Sequence, residues 1–227
     1  MTDEIETPPA TEPPATETGA RKPRPARTAP PLLAELAQWY PRLFGERPLP
    51  LKRGIFQDLM AARAPDKDAL KQALAWHTRS TRYLVAVAGG QPRHDLDGNS
   101  VEAVAPEHVY QALCEVFRRR QRRSQEDLAP QLRQRIARAC EASGLTREAY
   151  AERVRGHNVQ ANEVLDAALA EVAEHDARAE ALLRAFEASG AEVADFAAMY
   201  GLAVPVVQRA LTRARQLQRL GTDTAAA

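Results

Sequence analysis

The sequence predicts a mainly α-helical protein: a helical domain carrying one small β-hairpin, followed by an all-α C-terminal module. Three observations lead there. Apolar residues recur at helical spacing through most of the chain from about residue 31 onward. A hairpin signature occurs in one place, around Asp97-Gly98 between short alternating segments, where it reads as a type I′ turn. The last hundred or so residues are Ala-rich, with a 3.6-residue apolar period and almost no strand signal. A chain of 227 residues has room for one or two compact cores. The expected division is a tail over 1–30, a first domain over 31–123, a helical module over 124–220 and a short tail over 221–227.

Residues 1–30 hold seven of the sixteen prolines and almost no large apolar groups, so the segment cannot bury enough surface to offset its ordering and is expected to be disordered. It is acidic at its start and lacks the apolar stretch of a secretory signal. The run Arg21-Lys22-Pro23-Arg24-Pro25-Ala26-Arg27 reads as a solvated tail in preference to a phosphate-binding arm.

Order is expected from Pro31. Leu33, Leu36, Trp39 and Tyr40 share a helical face until Pro41 stops it. After Gly54, Ile55, Phe56, Leu59 and Met60 form a second apolar face, and Asp66 is placed to cap a helix from Lys67 to about Arg79. That helix buries Leu70, Leu74 and His77 and turns Lys67 and Lys71, four residues apart, outward on one face. The texture changes at Tyr83-Leu84-Val85-Ala86-Val87, ahead of Gly89-Gly90 and the hairpin. From Pro106 a helix carries Val109, Leu113, Val116 and Phe117 and ends in the basic cluster Arg118–Arg123.

The C-terminal module holds a degenerate repeat. Ala139-Cys140-Glu141-Ala142-Ser143-Gly144 returns as Ala185-Phe186-Glu187-Ala188-Ser189-Gly190, each followed by an Ala-rich amphipathic segment. Two packed helical hairpins account for it. Residues 193–211, with Gly201 in the turn and Gln208, Arg209 and Arg213 on the second helix, have helix-turn-helix rhythm. This supports an alternative reading as a DNA-binding regulator, although the acidic surroundings favour a structural or partner-binding role, with a protein partner or self-association through this module.

Charge is unevenly placed behind an overall +1. Residues 28–123 carry 15 basic and 10 acidic side chains, whereas 124–227 carry 12 and 15. A basic middle beside an acidic end suggests that the middle meets a polyanion. The two cysteines suit a reducing, cytoplasmic setting, and the five histidines lack metal-ligand spacing. No run of ~18 apolar residues is present, so no membrane span is expected. Asp95, Asp97 and Asn99 mimic a calcium loop, but the glycine stands fourth rather than sixth, with no Glu at position twelve. The tripeptide Gly89-Gly90-Gln91 is similar to one in release factors that hydrolyse peptidyl-tRNA, and nothing around it extends the match. No nucleophile–base pair or phosphate loop appears, so neither an enzyme nor a cofactor is expected.

The segment Leu51-Lys52-Arg53-Gly54-Ile55-Phe56-Gln57-Asp58-Leu59 resembles the first signature of the FinO/ProQ family of RNA chaperones. Ser80-Thr81-Arg82-Tyr83-Leu84 resembles the second, and Arg93-His94-Asp95-Leu96-Asp97-Gly98-Asn99 the third. Trp39-Tyr40-Pro41 and Phe44 fit its opening helix, so the resemblance covers about residues 31–123. It implies a FinO/ProQ-like domain that binds the base of a terminator hairpin with its single-stranded, uridine-rich 3′ end. The expected partners are small RNAs and messenger 3′ ends, in post-transcriptional regulation. By the same resemblance, Tyr83 and Arg93 would line a pocket for the 3′-terminal nucleotide beside Leu84, with Tyr83 as a stacking surface. Lys52, Arg53, Lys67, Lys71, Arg79 and Arg82 would meet phosphates, and Ser80 and Thr81 would offer donors at a helix start. One position departs from the family: Ala75 stands one turn after Lys71, where a basic residue is frequent, and Arg79 lies one further turn along.

Overall fold

The computed structural model describes residues 28–225; residues 1–27 of the expected N-terminal tail lie outside them. The first half comprises α1 (Pro31–Trp39), α2 (Pro41–Phe44), α3 (Ile55–Arg63), α4 (Lys67–Arg79), α5 (Thr81–Ala88), β1 (Arg93–His94), β2 (Ser100–Glu102) and α6 (Pro106–Gln121). Five helices follow: α7 (Ala129–Ser143), α8 (Arg147–Val154), α9 (Val159–Ser189), α10 (Val193–Met199) and α11 (Val204–Ala225). The described residues are mainly helical with one two-stranded antiparallel sheet, the expected class.

Local chemistry sets the boundaries. Asp66 caps α4, its Oδ1 accepting from the amides of Asp68 and Ala69 at 3.1 and 2.8 Å. Ser80 ends α4 and starts α5 at once, its Oγ accepting from the Tyr83 amide at 3.2 Å. The apolar run Tyr83–Val87 is therefore helical, and its one-sided apolar face, Tyr83 and Val87, is buried.

The hairpin differs from the expected type I′ turn. The turn is Asp95-Leu96-Asp97-Gly98, closed by the Gly98 amide donating to the Asp95 carbonyl at 3.1 Å. Its central residues have negative φ, and Gly98 follows at φ 81°. This is the type I turn with a left-handed glycine that marks a bulged hairpin. The Asp95 carboxylate explains the choice: Oδ1 accepts from the amides of Asp97 and Asn99 at 3.1 and 2.8 Å, which fixes the loop one residue earlier than Asp-Gly alone suggests. Those donors, the Asn99 amide foremost, hold the Asp95 pKa below its usual range. A Cβ on Gly98 would stand 2.9 Å from the Arg42 guanidinium.

One apolar core runs from Leu36, Leu43, Leu59 and Leu70 through Leu113 to Ile136, Tyr150, Leu165 and Val172. The helices after residue 123 thus share a core with the first half up to the middle of α9. A second core, with Leu183, Phe196, Val207 and Leu211, joins the rest of α9 to α10 and α11. The repeat takes the form of long–short–long helices in which α9 serves both copies, rather than two separate hairpins. Each copy ends a helix the same way: Ser143 Oγ donates to the Cys140 carbonyl, Ser189 Oγ to that of Phe186, and a glycine at φ 72° or 59° follows. Tyr150 and Phe196, both fully buried, occupy equivalent places on the short helices. Between the cores, buried Asp176 of α9 accepts from Arg213 at 2.8 and 3.2 Å, and Arg147 lies 3.8 Å away. Helix α11 continues to Ala225, past the expected end at 220, because a single Gly221 costs a helix only about 1 kcal/mol and no proline follows it.

Candidate nucleic-acid interface

The three resemblance motifs converge on the Leu51 peptide. Its N–H donates to the Tyr83 hydroxyl at 3.1 Å and its carbonyl accepts from Arg93 at 2.9 Å. Arg93 is held further by Glu102 at 3.8 Å and by His108, whose Nδ1 lies 3.4 Å from its Nη2. The chain at 50–52 also pairs with the hairpin: the His94 amide donates to Pro50, and the Lys52 amide to His94, at 2.7 and 2.8 Å. These bonds fix where Lys52 and Arg53 leave the backbone. The Lys52 ammonium bonds Asp58 at 2.8 Å, which pushes its pKa up and keeps it charged. The Arg53 amide donates to Glu102 at 3.0 Å, leaving its guanidinium largely exposed.

Tyr83 is not placed as a stacking surface. It is only 6% exposed, with its ring 5.1 Å from that of His77, which in turn packs 4.7 Å from Phe44. Burial raises the pKa of its phenol. A base cannot reach either face without displacing core. The Tyr83 hydroxyl instead fixes the Leu51 peptide, and Leu84 beside it is half-buried in the same core.

The second group surrounds the start of α5. The Ser80 cap occupies one first-turn amide, and those of Thr81 and Arg82 have no carbonyl ahead of them in the helix. Arg119 of α6 reaches this point, donating to the Thr81 hydroxyl at 2.9 Å and the Arg79 carbonyl at 3.0 Å. Arg79 and Arg82 are exposed with no acidic partner among the described residues, as is Lys67. Lys71 differs, since it pairs with Asp68 one turn back at 3.0 Å on a solvent face, a contact that water and salt weaken.

A family model described as ProQ/FINO family matches residues 26–129. The matched stretch, just under half of the chain, is thus similar to the ProQ/FINO family. Proteins named RNA chaperone ProQ are similar to it: those of Aeromonas salmonicida and Aeromonas hydrophila are each 40% identical over 126 residues. The match covers 49% of this chain and 60% or 59% of theirs, so it spans less than two thirds of these relatives. The protein of that name from Idiomarina loihiensis is 43% identical over 88 residues, 36% of this chain and 42% of that protein. No solved structure matches.

Within the matched stretch the residues picked from sequence fall into two neighbouring sets. Lys52, Arg53, Tyr83, Leu84 and Arg93 meet around the Leu51 peptide; Lys67, Lys71, Arg79, Ser80, Thr81 and Arg82 line α4 and the head of α5. Sequence reasoning missed the groups that hold them. Glu102 is a lone carboxylate with no local signal, 49 residues from Arg53, whereas Asp58, six residues from Lys52, stood inside the first motif without its pairing being read. Arg119 belongs to a cluster that was visible, but its bond to Thr81 spans 38 residues. In the C-terminal helix-turn-helix segment, Arg213 is committed to Asp176 and is only 14% exposed, which removes it from any reading surface.

Proposed function

We propose that this chain binds structured RNA as an RNA chaperone, seating a terminator-type hairpin so that its unpaired 3′ end meets the Arg93–Leu51–Lys52 corner. One observation carries the reading: the open first turn of α5 is flanked in the chain by Arg79 and Arg82, both exposed and without an acidic partner among the described residues, and carries the Ser80 and Thr81 hydroxyls. Two unbonded amides, two hydroxyls and two cations form a site for a phosphate of the backbone. Lys67 and Lys71 on α4 extend the positive surface toward the stem, with each phosphate contact releasing counterions. The similarity to proteins named RNA chaperone ProQ supports the same target class. The proposed partners are small RNAs and messenger 3′ ends.

No helix among the described residues is long and apolar enough to cross a membrane. The exposed apolar tip formed by Met199, Tyr200 and Val206 is where a protein partner or a second copy would be sought. Sequencing the RNA that co-purifies with the protein from its own cell tests the reading. Enrichment of terminator hairpins with free 3′ ends is expected. Recovery of specific duplex DNA instead would overturn it in favour of the helix-turn-helix alternative.

A further inference from the structure

The positive charge does not stop where the ProQ/FINO match ends. Between Arg118 and Arg138 the sequence has eight arginines and two acidic residues, Glu126 and Asp127; the acidic character begins only afterwards. Helix α7, which lies beyond residue 129 apart from its first residue, packs against α6, and Arg135 donates to the Ala88 carbonyl at the end of α5 at 3.3 Å. A groove of about 400 Å³ opens along this junction. Its floor is apolar, with Phe117 below and Val85 43% exposed. Its rim is Arg120 on one side and Gln131, Gln134 and Arg135 on the other. Gln131, Gln134, Arg135 and Arg138 recur at offsets of 0, 3, 4 and 7, one exposed face of α7, and Arg138 has no partner among the described residues. No acidic side chain lines the groove.

We propose that this groove binds an unpaired RNA segment adjoining the hairpin, so that α7 extends the RNA surface beyond the ProQ/FINO match. The inference rests on the RNA-binding reading above and adds a second contact region to it. Three features select single-stranded RNA. The Arg120 guanidinium carbon lies 5.6 Å from the centre of the Phe117 ring, a cation–π contact that holds a planar cation, a group able to stack on a base, at the rim of the groove. The exposed Val85 offers an apolar contact of the kind that unstacked bases seek and paired bases do not. The amides of Gln131 and Gln134 each present a donor and an acceptor, which suits base edges. Arg135 and Arg138 then neutralise the backbone. Helix α5 links the two regions, since its head carries the phosphate site while Val85 and Ala88 further along it line the groove.

The test uses the full chain and two RNAs: a hairpin with a 3′ uridine tail, and the same hairpin with about ten unpaired nucleotides added on the 5′ side of the stem, a length within single-strand site sizes. The wild type is expected to bind the extended RNA on the order of ten-fold more tightly, with a steeper salt dependence. Arg135→Ala/Arg138→Ala is expected to remove that advantage and to lower the salt slope on the extended RNA by about 0.7 per lost contact. Binding of the minimal hairpin is expected to stay within about two-fold of wild type. Because Arg135 also supports α5, Gln134→Ala/Arg138→Ala, which breaks no bond within the fold, is expected to act in the same direction. Equal binding of the two RNAs by the wild type would overturn the proposal, as would an extended-RNA advantage that survives both variants; the groove would then be left to a protein partner. Failure of both RNAs to bind would overturn the RNA-binding reading itself.

Discussion

The hydroxyl of Tyr83 accepts the backbone N–H of Leu51 across 32 residues of sequence, at 3.1 Å in a buried site. This bond separates two roles for Tyr83. Tyr83→Phe keeps a ring able to stack on a base but orphans the Leu51 amide, at a cost of about 1–3 kcal/mol in stability. The expected result is weaker hairpin binding with an unchanged salt slope, since no charge is lost. Chemical denaturation and titrations at several salt concentrations measure both. Binding and stability equal to wild type for Tyr83→Phe would return the ring to a stacking role.

We propose that Arg79 partly takes the place that Ala75 leaves without charge. In an ideal helix at about 100° per residue, a residue twelve positions after Lys67 lies about 120° away, so only a long side chain brings the charge back. Arg79→Ala is expected to weaken hairpin binding and make the salt slope shallower by about 0.7–0.9, one phosphate contact. Ala75→Arg is expected to tighten binding and to blunt the effect of losing Arg79. An unchanged slope for Arg79→Ala would show that its guanidinium is only solvated.

His77 makes stability depend on pH. Burial pushes its imidazole down to about 4, partly opposed by a hydrogen bond to the Leu43 backbone, so the folded state holds it neutral. Its unfolded value is near 6.5, so between about pH 6.5 and 4 the unfolded chain binds more protons. The stability it contributes is therefore complete above pH 6.5 and is lost as pH falls toward 4, by about 1.4 kcal/mol per unit. Denaturant midpoints across this window are expected to fall with pH and to flatten in His77→Phe. A wild-type profile with no slope between pH 6.5 and 5 would contradict this.

Asp176 holds the junction of the two cores through Arg213 and Arg147. Asp176→Ala leaves Arg213 buried without its counter-charge and is expected to cost about 3–5 kcal/mol. Thermal melts are expected to show α11 loosening first. The proposed hairpin binding is expected to persist at temperatures where α1–α6 stay folded.

Two helices of the first half were legible because caps and periodicity agree: Asp66 and Pro106 start helices where the chemistry places them, whereas the helix after Ser80 was marked only by the resemblance. The turn type was not, since the Asp95 carboxylate outcompetes the Asp-Gly pair for the loop register. The motifs marked the right neighbourhood, but the burial of Tyr83 depends on His77 and Phe44 closing over it, a tertiary fact with no local signature. The clamp on Leu51 was hidden for the same reason, as its partners lie 32 and 42 residues away. The repeat was visible, but nothing in it tells that one long helix serves both copies.

The most direct measurement of the central claim is a titration of the full chain with three versions of one RNA hairpin: with a free 3′ uridine tail, without the tail, and with the tail ending in a 3′ phosphate. The account predicts tightest binding to the free tail, with the tailless and blocked RNAs weaker by about five-fold or more, the low end of one lost base contact. Equal affinity for all three would contradict it.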